Sequence, residues 1–220
     1  MSTTAVPTGL RAWLTAEVTH SPMQARLQRF YFGWRRFRAN PLAMLGFSIL
    51  CGLILMAILA PVLAPHGFNA QSLDGRLRPP SAEHWFGTDE LGRDILARVL
   101  YGGRTSLTTA AGAVAIAAAV GVPIGLVAGF FGGWRDTVLM RFVDVLLSLP
   151  GILFAMALIA VLGRSQMAAL VAVGITGIPS FARITRAQVL ALRKRDFVTA
   201  VEALGGSAGY NMFRTVLPNA

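Results

Sequence analysis

The chain is 220 residues long, 55% hydrophobic and only 14% charged, with a net charge of +10. Soluble domains carry roughly 25% charged residues, so an ordinary soluble domain is excluded and a membrane protein is indicated. The positive charge falls in two blocks, residues 1–40 and 183–220, on either side of balanced or apolar sequence. That is a positive-inside pattern rather than a phosphate-binding face, so nucleic acid is not an expected partner.

Residues 1–40 read as a basic arm. Between Gln24 and Arg38, arginines are interleaved with Phe30, Tyr31, Phe32, Trp34 and Phe37. Such a segment lies on membrane lipid, its rings at the interface and its arginines toward anionic headgroups. It is too long and too aromatic for the n-region of a signal peptide, so it is expected to be cytoplasmic and uncleaved. The uncharged run that follows predicts a first transmembrane helix near residues 42–64, long enough for a hydrocarbon core of about 30 Å. Its Cys51 is the only cysteine of the chain, so no internal disulfide is expected.

A polar loop bent at Arg78-Pro79-Pro80 leads to HWFGTDELGRDILARVLYGGRTSL, residues 84–107. Thr88 is expected to cap a helix whose first turn carries Asp89 and Glu90, on the end that the helix dipole favours for acids. Asp89/Arg93 and Asp94/Arg98 are i,i+4 pairs, and Gly102-Gly103 ends the element. His84, Asp89, Glu90 and Asp94 could instead hold a metal ion. Capping and pairing account for the acids without one, so no metal is expected.

A second membrane helix is predicted near 105–131. In it Ala113, Ala117, Gly121, Gly125 and Gly129 recur every fourth residue, a stripe that lets membrane helices pack backbone to backbone. Pro123 predicts a kink. The third helix, near 139–163, has a charged foot of Arg141 and Asp144, expected to neutralise each other at the interface rather than to serve translocation. Pro150-Gly151 predicts a bend. After a turn at Arg164–Gln166 the fourth helix, near 167–190, is expected to lose regularity at Gly174, Gly177 and Pro179. Four crossings would place both basic ends on one side.

The last stretch, residues 195–219, reads as two short amphipathic helices. Phe197, Val198, Val201 and Leu204 form one apolar face, Gly205-Gly206 stops the helix, and Ser207 caps the next. There Ala208, Met212, Phe213, Val216 and Leu217 form a stripe that Pro218 ends. This is a docking element rather than a spanning one.

Three marks, in this order, resemble the inner-membrane permease subunits of ABC importers of the dipeptide/oligopeptide/nickel group. The first is Phe86-Gly-Thr-Asp through Gly92-Arg-Asp to Ser106-Leu107, and the second is Ile178-Pro-Ser-Phe-Ala-Arg183. The third is Ala200, Gly205, Leu217 and Pro218, which match the family's cytoplasmic coupling loop. Where the family has a glutamate before its alanines this chain has Thr199, with Glu202 three positions later. The resemblance implies an all-α polytopic bundle in the bacterial inner membrane. Residues 1–40 would be the cytoplasmic arm, and 41–220 a permease domain with four of the family's six membrane helices. The coupling loop would include Thr199, Ala200, Glu202, Ala203, Gly205, Leu217 and Pro218.

The implied partners are a homologous permease, two ATPase subunits and an extracytoplasmic binding protein, with di- or oligopeptide as the first substrate and nickel as the second. The family continues past the coupling loop with two further helices, so the stripe at 113–129 is expected to lack some of its partners. A secondary transporter or channel subunit is the alternative, and a membrane-anchored scaffold a third reading.

The permease is expected to be no enzyme and to carry no cofactor. There is no Gly-x-x-x-x-Gly-Lys-Ser/Thr loop to cradle phosphate. Gly205-Gly-Ser207-Ala-Gly209 mimics a nucleophile elbow. An elbow needs a strand before it and a histidine after it, whereas the histidines here are His20, His66 and His84.

Overall fold

The computed structural model describes Trp13, Thr15 and residues 21–64 and 67–220. The first part of the arm, His20 and His66 therefore lie outside the described residues. Two compact units divide the chain, Met1–Leu100 and Tyr101–Ala220.

In the first unit, helix α1 spans Pro22–Arg38. It starts where Ser21 Oγ accepts the Gln24 amide at 3.1 Å and where Pro22 supplies a preset φ. Asn40 then turns the chain, its Oδ1 accepting the amides of Leu42 and Ala43 at 3.1 and 3.2 Å, and Pro41 opens α2, Pro41–Leu63. At 23 residues α2 is about 35 Å long, enough for a bilayer core. Only Ala57 and Ala60 of α2 are buried.

Residues 67–94 form a tight polar knot, and here the expectation fails. Thr88 caps no helix. It makes an isolated antiparallel bridge with Asp94, and its hydroxyl accepts the Arg78 amide at 2.8 Å. The turn chemistry of Gly87 and Gly92 prevails over the helical spacing of the acids. Both glycines have φ near +70°, and a Cβ on Gly92 would collide with the Ser72 carbonyl oxygen. Asp94 is the true cap, its Oδ2 accepting the Ala97 amide at 2.9 Å. Helix α3, Ile95–Phe131, begins there and runs through Gly102-Gly103 without a stop. A mid-helix glycine costs only about 1 kcal/mol, too little to end a helix with a long apolar run ahead of it.

In the second unit, Gly132 and Gly133, with φ of +65° and +59°, reverse the chain into α4, Gly133–Leu147. Ser148–Pro150 break it, and α5, Gly151–Leu162, leaves at 84° to α4. Helix α6, Gln166–Leu192, contains Gly174, Gly177 and Pro179 without interruption, contrary to the expected loss of regularity. Those glycines leave room for a neighbour instead. The seam at 113–129 faces α6 (distances below). Arg141 does not neutralise Asp144 either. Asp144 accepts Arg183 Nη2 of α6 at 2.6 Å, because α6 presents a guanidinium to that side of α4.

The protein is an all-α polytopic membrane protein. Helices α2, α3 and α6 are each long and apolar enough to cross a membrane, and the bent pair α4–α5 qualifies jointly as a fourth span.

Candidate functional site: the C-terminal docking loop

The loop is built on the seam between α3 and α6. A Cβ added to Gly121 would lie 2.7 Å from both the Ile178 carbonyl oxygen and Phe181 Cβ. On Gly125 it would meet the Ala182 carbonyl oxygen, and on Gly129 it would lie 2.9 Å from Val189 Cβ. The fit is reciprocal, since a Cβ on Gly174 would lie 2.9 Å from Ile116 Cβ and one on Gly177 equally close to Ala117 Cβ. Ala113 and Ala117 are buried in the same seam. At one end Gln166 Nε2 donates to Thr108 Oγ1 at 3.0 Å and to Thr109 Oγ1 at 3.2 Å. Toward the other, Arg186 of α6 grips Asp136 of α4 through two hydrogen bonds of 2.6 Å.

Past the seam, α7 spans Asp196–Ala203. Its expected apolar face is only partly used. Val198 is fully buried, with Leu126 and Phe130 of α3, Val189 of α6, and Met212 and Val216 of the terminal segment. Phe197 is exposed and Leu204 is 88% exposed, so those two belong to the outward face and not to the packed one. Thr199, Ala200, Glu202 and Ala203 are also exposed.

The helix closes with Gly205 at φ +82°, the Gly205 amide on the Glu202 carbonyl and the Gly206 amide on the Val201 carbonyl, 3.0 and 2.9 Å. This is the Schellman arrangement that favours glycine. Ser207 Oγ then accepts the Tyr210 amide at 3.2 Å and so works as a cap. The chain ends in a wide turn over Asn211–Val216 and a tight one over Leu217–Asn219, with Leu217 packed on the Val198 cluster and Pro218 exposed.

Two features escaped the sequence reading. Asn211 is fully buried and donates through Nδ2 to the Val198 carbonyl at 3.2 Å and to Glu202 Oε1 at 3.4 Å, tying the two halves of the loop together. Its only signal was an amide next to the apolar stripe. The cross-helix pairs Arg186–Asp136 and Arg183–Asp144 bridge 50 and 39 residues, a separation that no local spacing reveals.

The polar knot of the first unit binds the carboxylates of Asp89 and Asp94 internally. Asp89 accepts the Leu91 and Arg93 amides at 2.9 and 3.0 Å and the Arg93 and Arg98 guanidiniums. Burial pushes its carboxyl up, but these bonds together hold it well below the usual carboxylate range. His84 Nδ1 lies 3.3 Å from Asp94 Oδ1. Among the described residues no three of His, Cys, Asp and Glu gather as a metal set.

Two family profiles match this chain. The one described as "Binding-protein-dependent transport system inner membrane component" covers residues 121–220, which hold most of the seam and the whole stretch 195–219. The one described as "N-terminal TM domain of oligopeptide transport permease C" covers residues 27–80. The glutathione transport system permease protein GsiD of Escherichia coli is 41% identical over 209 residues, 94% of this chain and 69% of that protein. The chain belongs to this family of transport permeases.

Other members agree with the assignment. The dipeptide transport system permease protein DppC of Alkalihalophilus pseudofirmus is 41% identical over 85% of the chain. The oligopeptide transport system permease protein OppC of Bacillus subtilis is 40% identical over 84%. The chain spans 62% and 61% of the length of those two permeases. The family is a membrane transport component, which accords with the multi-pass helical architecture.

Proposed function

We propose that this permease works in an ATP-driven importer of short peptides, and that the loop 195–219 receives the stroke of a partner ATPase. The observation that carries the reading is the division of α7. Its one buried residue, Val198, is locked to both α3 and α6, while Phe197, Ala200, Ala203 and Leu204 stand free. A surface that is firmly anchored behind and apolar in front suits a partner that must push on helices. The coupling residues in this reading are Thr199, Ala200, Glu202, Ala203, Gly205, Leu217 and Pro218. The seam residues Ala113, Ala117, Gly121, Gly125 and Gly129 transmit the movement.

The relatives' names supply the substrate class: dipeptide, oligopeptide and glutathione. The partners in this reading are a second, homologous permease, two ATPase subunits and an extracytoplasmic binding protein. In this reading α4–α5 crosses as one span, and the four crossings support a common side for the arm and the loop. The concentration of arginine in both supports the cytoplasm as that side.

The test is co-purification with the ATPase subunits. Leu204→Arg places a charge on a residue with no packing role, so the permease stays folded and ATPase recovery falls at least ten-fold. Gly205→Pro, which forbids the +82° turn, acts in the same direction. Full ATPase recovery with both variants would refute the coupling role.

A further inference from the structure

The elbow between α1 and α2 carries a groove that the docking reading does not use. It is lined by Arg29, Phe30, Gly33, Trp34 and Phe37 of α1 and by Phe47 of α2. Trp34 and Phe37 stack with ring centroids 5.6 Å apart, and both meet Phe47 edge-on at 6.0 and 5.7 Å. These contacts hold the two helices in one piece and give the groove an aromatic wall. Phe47 sits six residues past Pro41, about 9 Å along α2, so the wall reaches from the helix entry into the span. The groove is open at Gly33, where an added Cβ meets no atom within 4 Å.

Charge decides what can lie there. Helix α1 carries Arg26, Arg29, Arg35, Arg36 and Arg38 and no acid between Pro22 and Arg38. Among the described residues none of these guanidiniums meets a carboxylate. Arg26, Arg29 and Arg36 stand seven and four positions before and three after Gly33, so they share the groove's face of the helix. An apolar slot at the mouth of a membrane helix, topped by unneutralised arginines, matches a molecule with an acyl chain and a negative head. A soluble protein segment with an acidic end would meet the charge but has no route into the bilayer alongside α2.

We propose that this elbow binds one anionic phospholipid, its chain against Trp34, Phe37 and Phe47 and its phosphate on Arg29. The proposal rests on α2 being a membrane span and is independent of the docking loop.

Trp34 reports on the site directly. The full chain, with Trp13, Trp85 and Trp134 changed to Phe, is placed in phosphatidylcholine nanodiscs containing either brominated phosphatidylglycerol or brominated phosphatidylcholine. Quenching of Trp34 is expected to saturate at about five-fold less of the glycerol lipid, the factor for one arginine at a lipid surface. Arg29→Gln should erase that preference. Gly33→Leu fills the slot with a residue that favours helix over glycine, so it should erase the preference while circular dichroism stays unchanged. Equal quenching by the two lipids in the parent chain overturns the proposal, as does a preference that survives either variant. Survival in Gly33→Leu alone would mean a headgroup patch with no groove.

Discussion

Arg186 holds Asp136 in a two-pronged grip, Nε to Oδ1 and Nη2 to Oδ2, both at 2.6 Å, and so fastens α6 to the start of α4. Paired geometry of this kind is stronger than a single contact and fixes orientation as well as distance. Asp136→Asn leaves the guanidinium with a neutral partner and should cost about 1–3 kcal/mol. The expected result is a lower melting temperature of the purified permease. The exchange Asp136→Arg with Arg186→Asp should recover part of the loss, and no recovery would show that the pair serves something other than mutual attraction.

The seam predicts opposite outcomes for the same substitution at different glycines. At Gly121 the new methyl meets the Ile178 carbonyl oxygen at 2.7 Å, and backbone cannot yield as a side chain can. Overpacking costs about 1–3 kcal/mol, against about 1 kcal/mol gained in helix propensity. Gly121→Ala should therefore be neutral to destabilising, and Gly121→Val clearly destabilising. Gly102→Ala meets no atom within 4 Å and should raise the melting temperature. A common sign at both positions would contradict the seam.

Asn211 joins the two halves of the docking loop by its bond to the Val198 carbonyl. Asn211→Ala removes both bonds of this amide, to the Val198 carbonyl and to Glu202, at a cost of about 1 kcal/mol. Limited proteolysis should then cut between Arg193 and Arg214 at least several-fold faster, with the seam helices still protected. Unchanged protection would show that the Val198 cluster alone holds the loop.

Asp89 gives the polar knot a defined pH response. Its folded carboxyl lies below the ordinary range, so its contribution is complete above about pH 4 and fades as the pH falls toward the depressed value. Asp89→Asn should lower stability at pH 7 and remove this acid-side dependence. Thermal melts from pH 7 down to pH 3 would display both effects, and parallel curves for the two proteins would exclude Asp89 as the titrating group.

The all-α membrane class and the family were open to sequence reading for a physical reason. Uncharged runs such as Leu42–Ala64 have few other uses, and Phe86–Asp94 with Gly205 and Leu217-Pro218 form a distinctive set of fixed polar and turn residues. The knot at 67–94 was misread because Thr-Asp-Glu is equally good as a helix start and as a turn. The choice depended on Ser72 lying against Gly92, a contact across twenty residues. Asp144 was assigned to Arg141 on spacing alone, whereas its partner Arg183 comes from another helix. The inward turn of Val198 comes with its packing on Leu126, Phe130 and Val189, residues far away in the chain, while Phe197 and Leu204 face outward.

The contrast between Val198 and Leu204 has a mechanical meaning. One is sealed among side chains of three different segments, and the other, six positions on, is almost wholly in the open. Helix α7 is thus a short arm about 12 Å long, sealed at Val198 and tied through Asn211 at Glu202. Work done on its free end cannot be absorbed by bending within the arm. In the coupling role proposed above it would arrive at Leu126, Phe130 and Val189 together, turning α3 and α6 as one body instead of sliding them apart.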